Sequence, residues 1–291
     1  MNRIVSALAF LSLAAMVTGA APQRLLKLDE LTSRPRPAPT STLRYGSDPL
    51  QVVDVWLPDG KGPFPTVIMV HGGCWETHIA DRHIMDWAAD DLRKRGIAVW
   101  NIDYRGVDRP GGGYPGTFLD VAAAADALRD HAAELKLDAR RLVAVGHSAG
   151  GHLALWLAAR SRLPASSPLH SANPLQIASV VSLGGIPDLQ LASKVDNGCG
   201  TKVSTEVSGG HFAETSVPLL APLGVPQELV NGLEDPIIPR IFATDYQKRM
   251  EAAGDRVHVD WVPDTGHFEL IAPGSRAWDV AAKRIREALR G

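Results

Sequence analysis

From residue 50 onward, short continuous apolar runs alternate with longer stretches in which apolar residues recur every third or fourth position. QVVDVWLP (Gln51 to Pro58) reads as a strand, and FPTVIMVHGG (Phe64 to Gly73) as a buried strand ended by glycines. Asp81 to Arg95 carries Ile84, Met85, Trp87, Ala88 and Leu92 at helical spacing and stops at Gly96. IAVWNIDYR (Ile97 to Arg105) is the next strand, and the alanine-rich Thr117 to Leu135 the next helix. RLVAVGHS (Arg141 to Ser148) then predicts a strand, GGHLALWLAAR (Gly150 to Arg160) a helix, and IASVVSLGG (Ile177 to Gly185) a strand. PQELVNGL (Pro226 to Leu233) and VHVDWVP (Val257 to Pro263) predict strands separated by a helix near Ile241 to Ala253, and a last helix covers about Ala277 to Arg290. This alternation predicts an α/β fold, a mostly parallel sheet with helices on both faces. In such sheets ligands bind where the loops gather, at the carboxyl ends of the strands.

The first residues follow a different rule. Arg3, an apolar run from Ile4 to Val17 and the small residues Thr18-Gly19-Ala20-Ala21 have the order of a secretory leader, so residues 1–20 are expected to be a signal peptide cut after Ala20. The competing reading is an uncleaved membrane anchor, since the run is near the lower limit for spanning. No other segment is apolar for long enough, so no stable membrane span is expected after cleavage. Residues 21–44, which include the proline-rich TSRPRPAPTST (Thr32 to Thr42), are expected to be a flexible lead-in, and residues 45–291 one large domain. Export, periplasmic or secreted, would place Cys74 and Cys199 where a disulfide persists; two free thiols is the alternative.

The charge is −2 with both signs interspersed, which offers no basic stripe to nucleic acid, and 45% hydrophobic residues in 291 suffice for one sizeable core. No histidine and carboxylate cluster has metal-ligand spacing, so neither metal nor cofactor is expected.

Candidate chemistry gathers at Gly146-His147-Ser148-Ala149-Gly150. In a G-x-S-x-G turn between strand and helix, the serine is held in a strained conformation and the flanking residues must be small for the turn to close. A tight serine-capped turn is the plain alternative, disfavoured by the buried strand before it and the helix after it. A serine hydroxyl alone is a weak nucleophile and requires a base and an orienting acid, which follow it in chain order in this arrangement. The loops after the last two strands supply Asp235 and His267. Glu234, Asp264 and Asp188 are alternative acids, whereas His147 and His152 flank the serine with the wrong geometry and His258 lies inside a strand. Backbone donors for an oxyanion are expected from Gly73 and Cys74 in His71-Gly72-Gly73-Cys74-Trp75, together with Ala149.

With HGGCW and GHSAG in place, the chain from about residue 45 to its end resembles the α/β-hydrolases, in particular the group containing hormone-sensitive-lipase-like esterases and kynurenine formamidases. The resemblance implies a mainly parallel eight-stranded sheet, a Ser148-Asp235-His267 triad and an oxyanion hole in the HGGCW loop. The tetrapeptide HGGC departs from the HGGG of the lipase-like branch, and His-Gly-Gly-x-Trp is closer to the formamidase-like one.

The leading expectation is therefore a serine hydrolase acting on small carboxylic esters through an acyl-enzyme. The alternatives are an amide hydrolase (arylformamidase or small peptidase) with the same triad and, more remotely, a binding protein that kept the fold without catalysis. The glycine-rich Asn101 to Asp120 lacks the Lys-Ser ending of a phosphate loop and reads as a rim of the pocket. Leu191 to Ser216 suits a loop or small cap, and a Cys74–Cys199 bridge would tie it to the catalytic floor. Oligomeric state stays open at this level.

Overall fold

The computed structural model describes residues 24–291. Eight strands form one sheet: β1 (Ser41–Arg44), β2 (Val52–Trp56), β3 (Phe64–Val70), β4 (Ala98–Ile102), β5 (Leu137–His147), β6 (Ser179–Leu183), β7 (Gln227–Gly232) and β8 (Val257–Val262). Their spatial order is β1-β2-β4-β3-β5-β6-β7-β8. The pairs β1–β2 and β2–β4 are antiparallel, and every pair from β4 through β3 to β8 is parallel.

The continuous apolar runs have a simple cause, because both faces of the sheet are covered. Successive residues of β3 alternate between two cores: Ile68 and Val70 join the cluster containing Phe118, Leu153 and Phe242, while Val67 and Met69 join the one containing Leu92, Trp278 and Ile285. The first face is covered by α3 (Gly116–His131), α4 (Ala149–Ala159) and α8 (Ile241–Ala252), and the second by α2 (Asp86–Lys94) and α9 (Arg276–Arg290). Helix α9 shows how sequence selects its face. Ala277, Trp278, Ala281, Ala282 and Ile285 are buried at helical spacing, and the Ser275 hydroxyl caps the start by accepting from the Trp278 N–H at 2.9 Å. Helix α4 differs, with all but one of its residues buried.

The lead-in is where expectation and structure part. Residues 24–44 are not a loose segment: α1 (Leu28–Thr32) buries Leu31 completely, and β1 pairs with β2 as the sheet's eighth strand. The prolines at 35, 37 and 39 precede the ladder, where no backbone donor is needed, and Thr40 N–H donates to Val55 at 2.8 Å. An edge strand of four residues that alternates half-buried and exposed positions carries almost no hydrophobic signal. The leader expected at residues 1–20 lies outside the described residues, and among those described no helix is long and apolar enough to cross a membrane.

Between β6 and β7 the expected cap is helical: α5 (Leu189–Ala192), α6 (Thr201–Ser208) and α7 (Phe212–Thr215). Helix α6 buries only Ser204, Val207 and Ser208, too little apolar surface to mark it as a helix in the sequence.

Candidate active site

Strand β5 ends at His147, α4 begins at Ala149, and Ser148 joins them at φ 55° and ψ −123°. This positive φ is sterically unfavourable for a side-chain-bearing residue, and the neighbours show why it is tolerated. A Cβ on Gly146 would press on the Gly150 carbonyl, and one on Gly150 on the carbonyls of Val70 and His71, each well inside 3.0 Å. The two glycines are thus required by close backbone approach. The turn is pinned by Ser148 N–H donating to Leu183 at 2.9 Å.

The loops after β7 and β8 converge on this point. His267 Nδ1 donates to Asp235 Oδ2 at 2.7 Å, and both side chains are almost fully buried. The other oxygen, Asp235 Oδ1, accepts from the N–H groups of Ile237 at 2.8 Å and Ile238 at 3.0 Å. Burial opposes ionisation of Asp235, but the hydrogen bond and charge of His267 and the two amides outweigh it and hold the carboxyl below its ordinary value. The alternative acids are engaged elsewhere. Asp188 pairs with Arg249 and caps α5, and Glu234 accepts from Thr265 N–H at 3.1 Å. Asp264 occupies a left-handed turn position at φ 54°.

Ser148 and His267 face one cavity of about 190 Å³, whose lining also includes Gly73, Cys74, Ile79, Ile237 and Phe268. No hydrogen bond joins Ser148 to His267 among the described residues; such contacts commonly close only in the substrate complex. Of the flanking histidines, His152 Nε2 donates to the Thr215 carbonyl at 2.7 Å and points away from the pair. His147 lies 4.5 Å from His267 between ring centres, and its Nε2 donates to the His267 carbonyl at 3.1 Å. Burial and the nearby charge of His267 push His147 down to about 3, so it stays neutral and serves as a wall and a prop. His258 is exposed on β8, against Asp260 and Arg284.

The HGGCW loop follows β3. Gly73, Cys74 and Trp75 stand at φ 104°, 55° and 57°, three successive left-handed residues that turn the chain back on itself beside Ser148. A Cβ on Gly72 would lie 2.9 Å from that of Ser148, so only glycine lets the loop approach so closely. No acceptor among the described residues takes the N–H of Gly73, Cys74 or Ala149. Cys74 is disulfide-bonded to Cys199, across a sequence separation of 125, which joins this loop to the cap.

The brace beneath the loop was not anticipated. His71 Nε2 donates to Asp103 Oδ1 at 3.1 Å, and Arg82 bridges Asp103 at 2.8 Å and Asp54 at 2.7 Å. The usable sequence signal was Asp103, a carboxylate directly after a strand, Ala98–Ile102, whose one polar residue is Asn101. The glycines of residues 106–116 are packing devices: a Cβ on Gly112 would collide with the Gly106 carbonyl, and one on Gly116 with that of Gly111. Among the described residues no group of three or more His, Cys, Asp or Glu side chains is placed to hold a metal ion.

Known proteins share sequence and fold with this chain. The model of the BD-FAE family matches residues 53–239. Esterase LipC of Mycobacterium tuberculosis is 35% identical over 256 residues, 81% of this chain and 61% of its own length, so the chain spans less than two thirds of that relative. Carboxylesterase NlhH of the same species is 30% identical over 246 residues, 76% of this chain and 72% of the relative. In fold the chain is similar to esterase B of Lactobacillus rhamnosis, solved with a tributyrin phosphonate inhibitor, with a TM-score of 0.75, 19% identity and coverage of 90% and 89%. A matched family model over most of the chain, a relative covered over most of its length and an eight-stranded, mainly parallel sheet make the chain a member of the BD-FAE family with the α/β-hydrolase fold.

Proposed function

We propose that the protein is a serine esterase that cleaves small carboxylic esters through an acyl-enzyme. The observation that carries this reading is the hydrogen-bonded Asp235–His267 pair facing the same cavity as Ser148 in its strained turn. Asp235 can only accept from Nδ1, so Nε2 of neutral His267 keeps its lone pair for the serine proton. As Ser148 Oγ bonds to the ester carbon, its proton passes to Nε2 and the carbonyl oxygen gains the electron pair. The N–H groups of Gly73, Cys74 and Ala149 are the donors assigned to that oxyanion. The imidazolium then protonates the departing alkoxide; water, deprotonated by His267, attacks the acyl carbon, and the same proton passes from His267 to Ser148 Oγ as the acyl–oxygen bond breaks and the acid leaves.

The names of LipC and NlhH as esterase and carboxylesterase support ester over amide substrates. The cavity, about 190 Å³ and lined largely by apolar side chains, suits a short acyl group. We also assign the mature protein to an exported, oxidising location. The leader-like residues 1–20 and the Cys74–Cys199 pairing support this.

Hydrolysis of p-nitrophenyl acetate and butyrate beside an aryl formamide, by the wild type and Ser148→Ala, tests the reading. Ester turnover should exceed formamide turnover and fall by roughly 10⁴-fold or more in the variant. Formamide turnover alone would favour the amidase, and unchanged turnover in Ser148→Ala would remove Ser148 as nucleophile.

A further inference from the structure

The cavity beside Ser148 has one wall that the hydrolase core does not supply. Leu28, the first residue of α1, lines it together with Ile79, Ile84, Ile237 and Phe268. We propose that the N-terminal arm, residues 24–32, is a working part of the site, with Leu28 limiting the length of the acyl chain and Glu269 a positioning residue joining the arm to the His267 loop. This rests on the esterase reading and adds its selectivity for short acyl groups.

Three observations fix the arm in place. Leu31, one turn on from Leu28, is fully buried in the same core cluster as Ile84, Met85 and Ala88. Glu269 is 8% exposed and spends its two carboxylate oxygens on one distant amide and one within its own loop. Oε1 accepts the N–H of Leu26, across 243 residues of sequence, and Oε2 accepts the N–H of Gly266, next to His267, at 3.1 Å. Charge-assisted bonds of this kind are stronger than neutral ones, and losing either partner leaves a poorly solvated carboxylate unsatisfied. Finally, a Cβ on Gly266 would lie 3.3 Å from the Leu25 side chain, so the arm rests directly on the residue before His267. The arm, the histidine loop and the cavity wall therefore move as one unit.

A methylene that finds apolar space gains about fourfold in binding, and one that meets a wall loses the gain. Leu28→Ala removes three carbons from a half-buried side chain whose backbone is held by Leu31 and Glu269 on either side, so the variant should fold. Kinetics on p-nitrophenyl acetate, butyrate, hexanoate and octanoate would read the effect. In Leu28→Ala the ratio of kcat/KM for hexanoate over acetate should rise about tenfold, and in Leu28→Phe it should fall by a similar factor. Glu269→Gln, which turns an amide N–H₂ against one of the two donors, should release the arm and shift the profile in the direction of Leu28→Ala. A purely structural role would lower the melting temperature without moving that profile. Wild-type turnover with the same profile in all three variants would overturn the inference and leave the esterase reading standing. A wild type that hydrolyses none of the esters would overturn the esterase reading, and the inference with it.

Discussion

Asp235→Asn changes one atom, and the structure dictates which way the new side chain must face. Asp235 Oδ1 accepts from the amides of Ile237 and Ile238 at 2.8 and 3.0 Å, while Oδ2 accepts from His267 Nδ1 at 2.7 Å. An asparagine can satisfy the two amides only by placing its carbonyl oxygen at the Oδ1 position. Its N–H₂ then points at Nδ1, which must become the acceptor, and the imidazole proton moves to Nε2. In that tautomer His267 has no lone pair for the Ser148 proton. The expected cost is about 10⁴-fold in kcat, or about 5 kcal/mol of transition-state stabilisation, with KM nearly unchanged because Asp235 does not touch the substrate. Steady-state hydrolysis of p-nitrophenyl butyrate at pH 7.5, with circular dichroism to confirm folding, measures it. A folded variant that loses less than tenfold would refute the reasoning.

Three further outcomes follow from the same structure. Cys199→Ser opens a loop of 125 residues and should cost about 4–5 kcal/mol in urea unfolding under oxidising conditions; equal stability with and without the bridge would contradict this. His152, pushed down to about 4 by burial, stays neutral when folded but gains a proton below about 6.5 when unfolded. Its contribution is therefore complete above pH 6.5 and lost as the pH falls towards 4, and the pH dependence of the melting temperature in that window should flatten in His152→Phe; an identical slope would argue against it. Asp86 has the opposite sign: fully buried, with no hydrogen bond to either oxygen, it is raised by burial to about 7. It should cost stability as the pH rises from about 4 through 7, so Asp86→Asn should melt several degrees higher than wild type at pH 8 and no higher at pH 4.

Most of the parallel sheet is legible because each strand is covered on both faces and must be apolar throughout. The runs around Val67, Val99, Val143 and Val180 need no partner to be recognised. The turn at Ser148 is equally local: its glycines and the strand and helix that flank it lie within about twenty residues. Asp235 and His267 became legible only through chain order, since nothing within either loop singles it out. What escaped depends on remote contacts. Strand β1 has four residues and one paired edge, so it is defined by Val53 and Val55 across the ladder rather than by its own pattern. Leu28 and Glu269 look like ordinary arm and loop residues until the fold lays the arm against the histidine loop that carries Glu269. The Asp54–Arg82–Asp103 brace unites three segments, and although Asp54 and Asp103 sit in or beside apolar strands, nothing in either segment points to Arg82 as their common partner.

The long reach of Glu269 also bears on how the chain folds. Its two hydrogen bonds join the N-terminal arm to a loop near the C-terminus, a closure over 243 residues, among the least local contacts in the molecule. Contacts at such separation form late, because their entropy must be met before they stabilise anything. The arm is synthesised early and Leu31 can pack beside Ile84 and Met85, but the bond from Leu26 to Glu269 has no acceptor in place until β8 has joined the sheet and carried the His267 loop into position. The sheet can therefore assemble ahead of the pocket. A refolding experiment following tryptophan burial and ester turnover together should find activity returning after the core has closed.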